Sequence, residues 1–253
     1  PIYSDEFSIP VASKLFLRSD YKDTIYKAIK ESDLSTKQEY EYSDLPFYMI
    51  KNFLEDVYDA PINQLVENFF YKSMQLQNLR YFPLNHFKVN IITPSENDLI
   101  WRKQIVQGTV HDQGAAMLGG VGGHAGLFGN AEDVAKMMMM YNRGGNYAGK
   151  QYILPETINK FNTCYFCEED VRSGLVFDKP QLEEVGPTCG CLSMNSFGHS
   201  GFTGTYAWAD PDTDIIYVFL SNRTFPDAGN KKLIYSNART RIQGIIYEAL
   251  ENQ

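Results

Sequence analysis

Long apolar runs are what this 253-residue chain most lacks. The densest near a helix, Met137-Met138-Met139-Met140-Tyr141, is far short of the ~18 residues a bilayer-spanning helix needs. A membrane span is therefore not expected. Basic charge is also in deficit, with 23 Lys and Arg against 31 Asp and Glu and a formal net charge of -8. A face that neutralises phosphates is not expected, and nucleic acid is not expected as a partner. Cysteine is scarce: the four residues fall in two tight pairs, Cys164-x-x-Cys167 and Cys189-x-Cys191. Two pairs can build a zinc site, but the one-residue spacing of the second and the lack of a supporting Cys or His pair argue against it. No metal and no cofactor are expected. The thiols read as free or loosely paired in a loop, with disulfides open to an exported protein. The chain opens at Pro1, without an initiating Met and without a signal-peptide pattern; it reads as an excised fragment or a processed product, with any targeting segment of the parent expected outside it.

Aromatic and apolar residues are plentiful, with 17 Tyr, 16 Phe and 43% hydrophobic residues overall. Such a chain can bury a substantial core. Residues 1–20 read as a loop or extended arm. Residues 21–34 have helical spacing, with Ile25, Ile29 and Leu34 near one face. A second helix begins after Ser43-Asp44, either of which suits an N-cap, with Pro46 in its first turn. Its apolar positions are Leu45, Ile50, Phe53, Leu54 and Val57, and it ends near Asp59-Ala60-Pro61. A third covers Ile62 to Tyr71, with Leu65, Val66, Phe69 and Phe70 inward. Residues 78–113 lack a period and read as long ordered loops.

The glycine-dense stretch Gly119 to Gly126 precedes Asn130-Ala131-Glu132-Asp133, a variant capping box that opens a helix closed by Gly144-Gly145. A short helix around Pro155 to Phe161 follows, and Gly174 to Phe177 has strand character. Two β-rich runs, Thr203 to Ala209 and Ile215 to Leu220, flank the turn Asp210-Pro211-Asp212-Thr213 and form a hairpin. The second run is continuously apolar, as for a strand covered on both faces. A last helix spans Lys231 to Leu250, with the stripe Ile234, Ala238, Ile242, Ile245 and Ala249 toward the sheet. Helices mixed with an antiparallel hairpin give an α/β (α+β) layered fold.

Chemistry concentrates before the hairpin. Phe197-Gly198-His199-Ser200-Gly201-Phe202-Thr203-Gly204-Thr205 places a titratable His, hydroxyls and three glycines at a strand entrance, where glycines let a substrate lie against the backbone. On composition alone a glycine-kinked strand with a hydrogen-bonded His explains it better. The run from Phe197 to Asn222, with Trp208, Asp210-Pro211 and Leu220-Ser221-Asn222-Arg223, resembles the third-motif region of the class C β-lactamase and penicillin-binding-protein family. The order of the motifs from about Ser43 to Ala249 carries this resemblance.

The resemblance implies a β-lactamase/transpeptidase-like fold, an antiparallel sheet flanked by helices, with residues 1–253 forming one domain that is incomplete at its N-terminus. His199-Ser200-Gly201 would be the Lys/His-x-Gly motif. Ser200 with Gly201 and Thr203 would bind a substrate carboxylate or carbonyl, and the Phe202 N–H would form half of an oxyanion hole. Tyr42-Ser43-Asp44 resembles the family's Tyr-x-Asn. Tyr42 would assist proton transfer, whereas Asp44, where Asn is commonest, accepts hydrogen bonds but donates none unless protonated. His124 in the glycine-rich loop either lines the cleft or is buried to hold the loop, and His111 poses the same choice.

The family's Ser-x-x-Lys nucleophile motif has one match, Ser19-Asp20-Tyr21-Lys22, which lies too close to Tyr42 and reads better as the start of an exposed helix. The resemblance thus implies that the nucleophile segment precedes Pro1 and that this chain alone is inactive. The intact parent would be a serine hydrolase working through an acyl-enzyme on a β-lactam, a D-amino-acid peptide or a muramyl-peptide amide. The pattern is similar to domains fused behind bacterial β-N-acetylglucosaminidases, which implies a preceding partner domain and export to the periplasm. The alternatives are a non-catalytic domain binding peptidoglycan or a partner, and a metal module on the cysteines.

Overall fold

The continuous apolar run near the C-terminus does form the strand its sequence predicts, and the rest of its unit is arranged around it. The computed structural model describes residues 3–36, 40–169, 171–181 and 186–252. The chain forms two compact units, Pro1–Tyr71 with Leu79–Phe128, and Lys72–Asn78 with Gly129–Gln253.

In the first unit, β1 (Ile9–Ala12) and β2 (Leu15–Leu17) make an antiparallel hairpin where the sequence reads as a loop or arm. Burial explains it: Val11, Leu15 and Leu17 pack on Ala115 and Ala116. Helix α1 (Tyr21–Lys30) turns Ile25 and Ile29 onto Tyr26, Tyr48 and Leu118, whereas Leu34 lies beyond its end and is 92% exposed. Helix α2 (Leu45–Tyr58) carries Pro46 in its first turn and ends at Asp59 in the left-handed region. Its buried face is Tyr48 and Lys51, not the predicted apolar stripe: Phe53 and Val57 are 64% and 59% exposed. Lys51 is buried because its ammonium donates to Glu55 across one turn at 2.7 Å.

Helix α3 (Ile62–Val66) passes into a π turn, Glu67–Tyr71. The wider turn rotates the face, so Tyr71 is buried and Phe69 is exposed rather than inward. The stretch 78–113 is loop-rich as expected but holds an unforeseen hairpin, β3 (Glu96–Asp98) with β4 (Gln104–Val106). The Asp98 carboxylate closes its turn by accepting from the amides of Ile100, Trp101 and Arg102. A short helix, α4 (Gln113–Met117), follows.

In the second unit, α5 (Ala131–Asn142) is capped as predicted, with Asn130 Oδ1 accepting from the Asp133 amide at 2.9 Å. The Asp133 side chain accepts from the Asn78 amide at 2.7 Å. Gly144 and Gly145, both at positive φ, end the helix. The hairpin β5 (Asn146–Tyr147) with β6 (Lys150–Gln151) leads into α6 (Pro155–Asn162). Gly174 to Phe177 is a tight turn, Gly174 N donating to Phe177 O, and not a strand.

The main sheet is antiparallel in the order β7 (Phe197–Ser200), β8 (Tyr206–Asp210), β9 (Ile215–Phe219). Phe197, Ala207, Ala209 and Ile216 face Val134, Met138 and Tyr141 of α5. Tyr206, Trp208, Tyr217 and Phe219 face the opposite layer. That layer is α8 (Ala238–Glu251), preceded by α7 (Lys232–Tyr235). The predicted last helix is therefore broken, at Asn237 with φ 50°. Its inward residues are Gln243, Ile246 and Tyr247, whereas Ile242 and Ile245 of the predicted stripe are 41% and 63% exposed. Polar bonds decide this orientation: Gln243 Oε1 accepts from the Cys189 amide and the Tyr206 hydroxyl, both at 3.1 Å. Helix, antiparallel sheet and helix make the layered α/β arrangement expected of the family. The cysteines are not free: Cys164 pairs with Cys167 and Cys189 with Cys191.

Candidate active site

Each candidate motif is built within its own unit. In the second unit, β7 pairs with β8 so that Gly198, His199 and Ser200 oppose Trp208, Ala207 and Tyr206. Gly198 has no room for a Cβ, which would run into the Ala207 carbonyl and the Trp208 indole. The other edge of β7 is bridged at Gly198 by Asp178, through Asp178 N to Gly198 O at 2.8 Å and Gly198 N to Asp178 O at 3.2 Å. After Ser200 the chain closes a tight turn, Gly201 N bonding to Thr205 O and Gly204 N to Gly201 O, both at 2.9 Å. Gly204 takes φ 101°, a conformation glycine adopts at little cost.

This turn presents Phe202, 64% exposed, with the Arg223 guanidinium 4.8 Å from its ring centre. The Thr203 carbonyl accepts from the Arg223 amide at 2.9 Å. The His199 side chain is 41% exposed; Nδ1 lies 2.8 Å from the Ser200 carbonyl and Nε2 3.9 Å from Asp178 Oδ2. Burial raises the Asp178 carboxyl above the usual carboxylate range, and His199 only partly offsets this. Asp178 carries no motif, and only its pairing in space identifies it. Beside it, Lys179 is buried, with Nζ bonded to Asn162 Oδ1 at 2.9 Å and Asn195 O at 3.1 Å. Burial, with Arg172 adding, brings its pKa down to about 8.

In the first unit, Tyr42 is 67% exposed, two residues before the cap of α2. Asp44 occupies the cap position without a side-chain capping bond, and Ser43 Oγ accepts from Leu45 N at 3.2 Å. The His124 side chain is only 6% exposed. Its Nε2 lies 2.9 Å from Asp112 Oδ1, and its ring centre 4.5 Å from that of Tyr48. The ring is thus held inside the first unit between Asp112 and Tyr48. Burial alone would raise the Asp112 carboxyl, but the hydrogen bonds from His124 and the Ala115 amide hold it below the usual range. Asp44, Asp112 and His124 each place one ligand-type atom within 4.8 Å of the others, the one such group of three among the described residues. The His124–Asp112 hydrogen bond already accounts for two members, so the grouping fits an internal polar cluster as well as it fits a cation.

His111 is also largely buried, Nδ1 4.0 Å from Glu96 Oε2. His86, silent in the sequence, lines a small polar cleft of about 110 Å³ with Glu67, Arg80 and Tyr81. Ser19 belongs to the exposed start of α1, as read: its hydroxyl bonds the Glu6 carbonyl at 3.4 Å, while Lys22 lies over the Tyr26 ring.

The β-lactamase family model matches residues 19–241, and the chain belongs to that family. Over 251 residues it is 30% identical to a Salmonella gallinarum protein bearing the name D-alanyl-D-alanine carboxypeptidase, an alignment covering 93% of this chain and 56% of that protein. An Escherichia coli K12 protein of the same name is 32% identical over 222 residues, 82% of this chain and 51% of the relative. The chain thus spans about half the length of these curated relatives. Among solved structures, a β-lactamase from Mycobacterium bovis superimposes with a TM-score of 0.54 at 16% identity, covering 82% of this chain and 63% of that one. A penicillin-binding protein homologue from Caulobacter crescentus gives 0.56 at 16%, covering 80% and 58%. These two likenesses concern the fold.

Proposed function

We propose that the chain is the later part of a serine hydrolase domain that forms an acyl-enzyme on a small amide or ester derived from the cell wall. A peptide ending in D-alanine leads the candidates, in keeping with the names of the relatives. The observation that carries the reading is the β7 edge, where His199-Ser200-Gly201 runs into a tight turn that presents Phe202. In this reading Ser200, Gly201 and Thr203 bind the substrate carboxylate or carbonyl. The Phe202 N–H faces the developing oxyanion, a role that contributes where charge appears in the transition state. His199 donates to the substrate, and Tyr42 relays a proton to the leaving group. The nucleophile comes from a segment outside these 253 residues, since Ser19 and Lys22 are engaged elsewhere. Export to the periplasm and a preceding domain in the parent belong to the same proposal.

A second reading is a non-catalytic domain that holds peptidoglycan. Asp44 favours it, because an ionised carboxylate cannot donate to a substrate carbonyl as an Asn does.

Intact-mass labelling with a penicillin or fluorophosphonate probe separates the two. The 253-residue chain should stay unmodified and an upstream-extended version should gain one adduct. A stoichiometric adduct on the short chain refutes the placement of the nucleophile. An extended version inert to every probe refutes the hydrolase reading and leaves the binding one.

A further inference from the structure

We propose that His124 is a positioning residue: it clamps the first turn of α2 against the glycine-rich loop and so fixes the Tyr42-Ser43-Asp44 segment at the head of that helix. The start of α2 has one local side-chain bond, from Leu45 N to Ser43 Oγ at 3.2 Å. Asp44 sits at the cap without a capping bond, and the turn is closed by backbone bonds from Phe47 N and Tyr48 N to Asp44 O at 3.0 and 3.4 Å. Support comes from outside the helix. The His124 ring packs on Tyr48, and a Cβ at Gly123 would come 2.7 Å from the Phe47 carbonyl, so the loop backbone lies directly on this turn. The other side of Tyr48 is blocked as well, its hydroxyl standing where a side chain on Gly114 of α4 would go.

The clamp is anchored. Asp112 takes the His124 Nε2 hydrogen bond and caps α4 through the Ala115 amide at 2.7 Å. The buried Arg102 guanidinium donates to the His111 carbonyl at 2.9 Å, tying down the strand of chain that carries Asp112. His124 Nδ1 is buried without a hydrogen-bond partner. A carboxylate only accepts, so Nε2 is the donor of the bond to Asp112. His124 acts through Tyr48 and Asp112, so its part is positioning and not contact with substrate. The catalytic consequence rests on the reading of the preceding subsection; the clamp itself does not.

Amide hydrogen exchange tests it in the 253-residue chain. His124→Phe keeps a ring against Tyr48 but removes the bond to Asp112. His124→Asn shortens the donor out of reach, and His124→Gln places an amide N–H near the position of Nε2. The first two should lower protection of the Phe47 and Tyr48 amides by about 10-fold or more through local opening, with Leu54 and Val57 unchanged. His124→Gln should restore most of it. Protection within twofold of wild type in both disruptive variants overturns the proposal, as does a loss shared equally by Leu54, which signals a global effect. In an upstream-extended version with activity, His124→Phe should lower kcat by ~10- to 100-fold, the scale of a misplaced catalytic group, with KM within threefold and recovery by His124→Gln. An extended version without activity counts against the hydrolase reading, while hydrogen exchange still decides the clamp.

Discussion

Replacing Asp210 by Asn should destabilise the second unit by about 2.5–7.5 kcal/mol, although the change is one atom. Asp210 is fully buried at the end of β8 and accepts four hydrogen bonds. Oδ1 takes Ser193 Oγ at 2.5 Å and Asp212 N at 3.1 Å; Oδ2 takes Ser193 N at 3.0 Å and Tyr247 OH at 2.9 Å. Each oxygen therefore holds one hydroxyl and one backbone amide. Whichever oxygen the Asn nitrogen replaces, a hydroxyl can turn round and accept, but a backbone N–H cannot. One buried amide is left without an acceptor, at about 1–3 kcal/mol, and the three surviving bonds lose their charged partner, at roughly 0.5–1.5 kcal/mol each. Tyr247→Phe removes one donor and leaves the carboxylate three, so it should cost only about 1–2 kcal/mol.

The sign with pH follows. Burial pushes the Asp210 carboxyl up, but the Ser193 hydroxyl and amide, Tyr247 and the Asp212 amide together hold it below its ordinary value. The native state thus binds fewer protons than the unfolded chain in acid. The stabilisation is complete above the unfolded pKa of ~3.9 and is lost as pH falls through the lower native value. Urea titrations followed by Trp208 fluorescence, in a Trp101→Phe background, report the second unit. The gap between wild type and Asp210→Asn should be largest at pH 7 and narrow below pH ~3.5. A gap under 1 kcal/mol at pH 7, or one that widens on acidification, refutes the reasoning.

Lys179, with its pKa near 8, binds fewer protons folded than unfolded between pH 8 and ~10.4. Thermal stability of the second unit should rise across that interval, and Lys179→Met should flatten the slope; a melting temperature independent of pH from 8 to 10 in wild type contradicts this. Gly198→Ala should destabilise by about 3 kcal/mol or more, because its methyl meets the Ala207 carbonyl and the Trp208 ring inside a paired strand; a urea midpoint equal to wild type rejects that. Phe53→Glu and Ile245→Glu, at positions 64% and 63% exposed, should each change stability by no more than ~0.5 kcal/mol. A loss above 1 kcal/mol in denaturant titration would mean that these faces are covered.

Apolar spacing located α1 and α2, missed α4 and the break before α8, and oriented α2 and α8 badly. A stripe such as Leu45, Ile50, Phe53 and Val57 states which face prefers a nonpolar neighbour; it does not state which face receives one. In α2 the buried position goes to Lys51, whose charge is paired with Glu55, and to Tyr48, which fits between His124 and α4. In α8 it goes to Gln243 and Tyr247, which satisfy the Cys189 amide, the Tyr206 hydroxyl and Asp210. In α8 hydrogen bonds to distant partners fix the rotation of the helix more sharply than general hydrophobicity, and in α2 the ring contact with His124 does so; both kinds of partner are invisible in local sequence. Local chemistry, by contrast, was legible. The Asn130 cap, the Gly144-Gly145 stop, Pro46 in the first turn and the β8–β9 hairpin each depend on residues a few positions apart. The candidate site divides along the same line. His199, Ser200 and Tyr42 stand in short motifs, whereas Asp178 beside His199 and Asp112 beside His124 are brought in by pairing across 21 and 12 positions. Asp112 is the clearest case: the glycine-rich loop shows that an imidazole is present, but only the structure shows the 2.9 Å bond to Asp112 that holds it inward beside Tyr48 of α2.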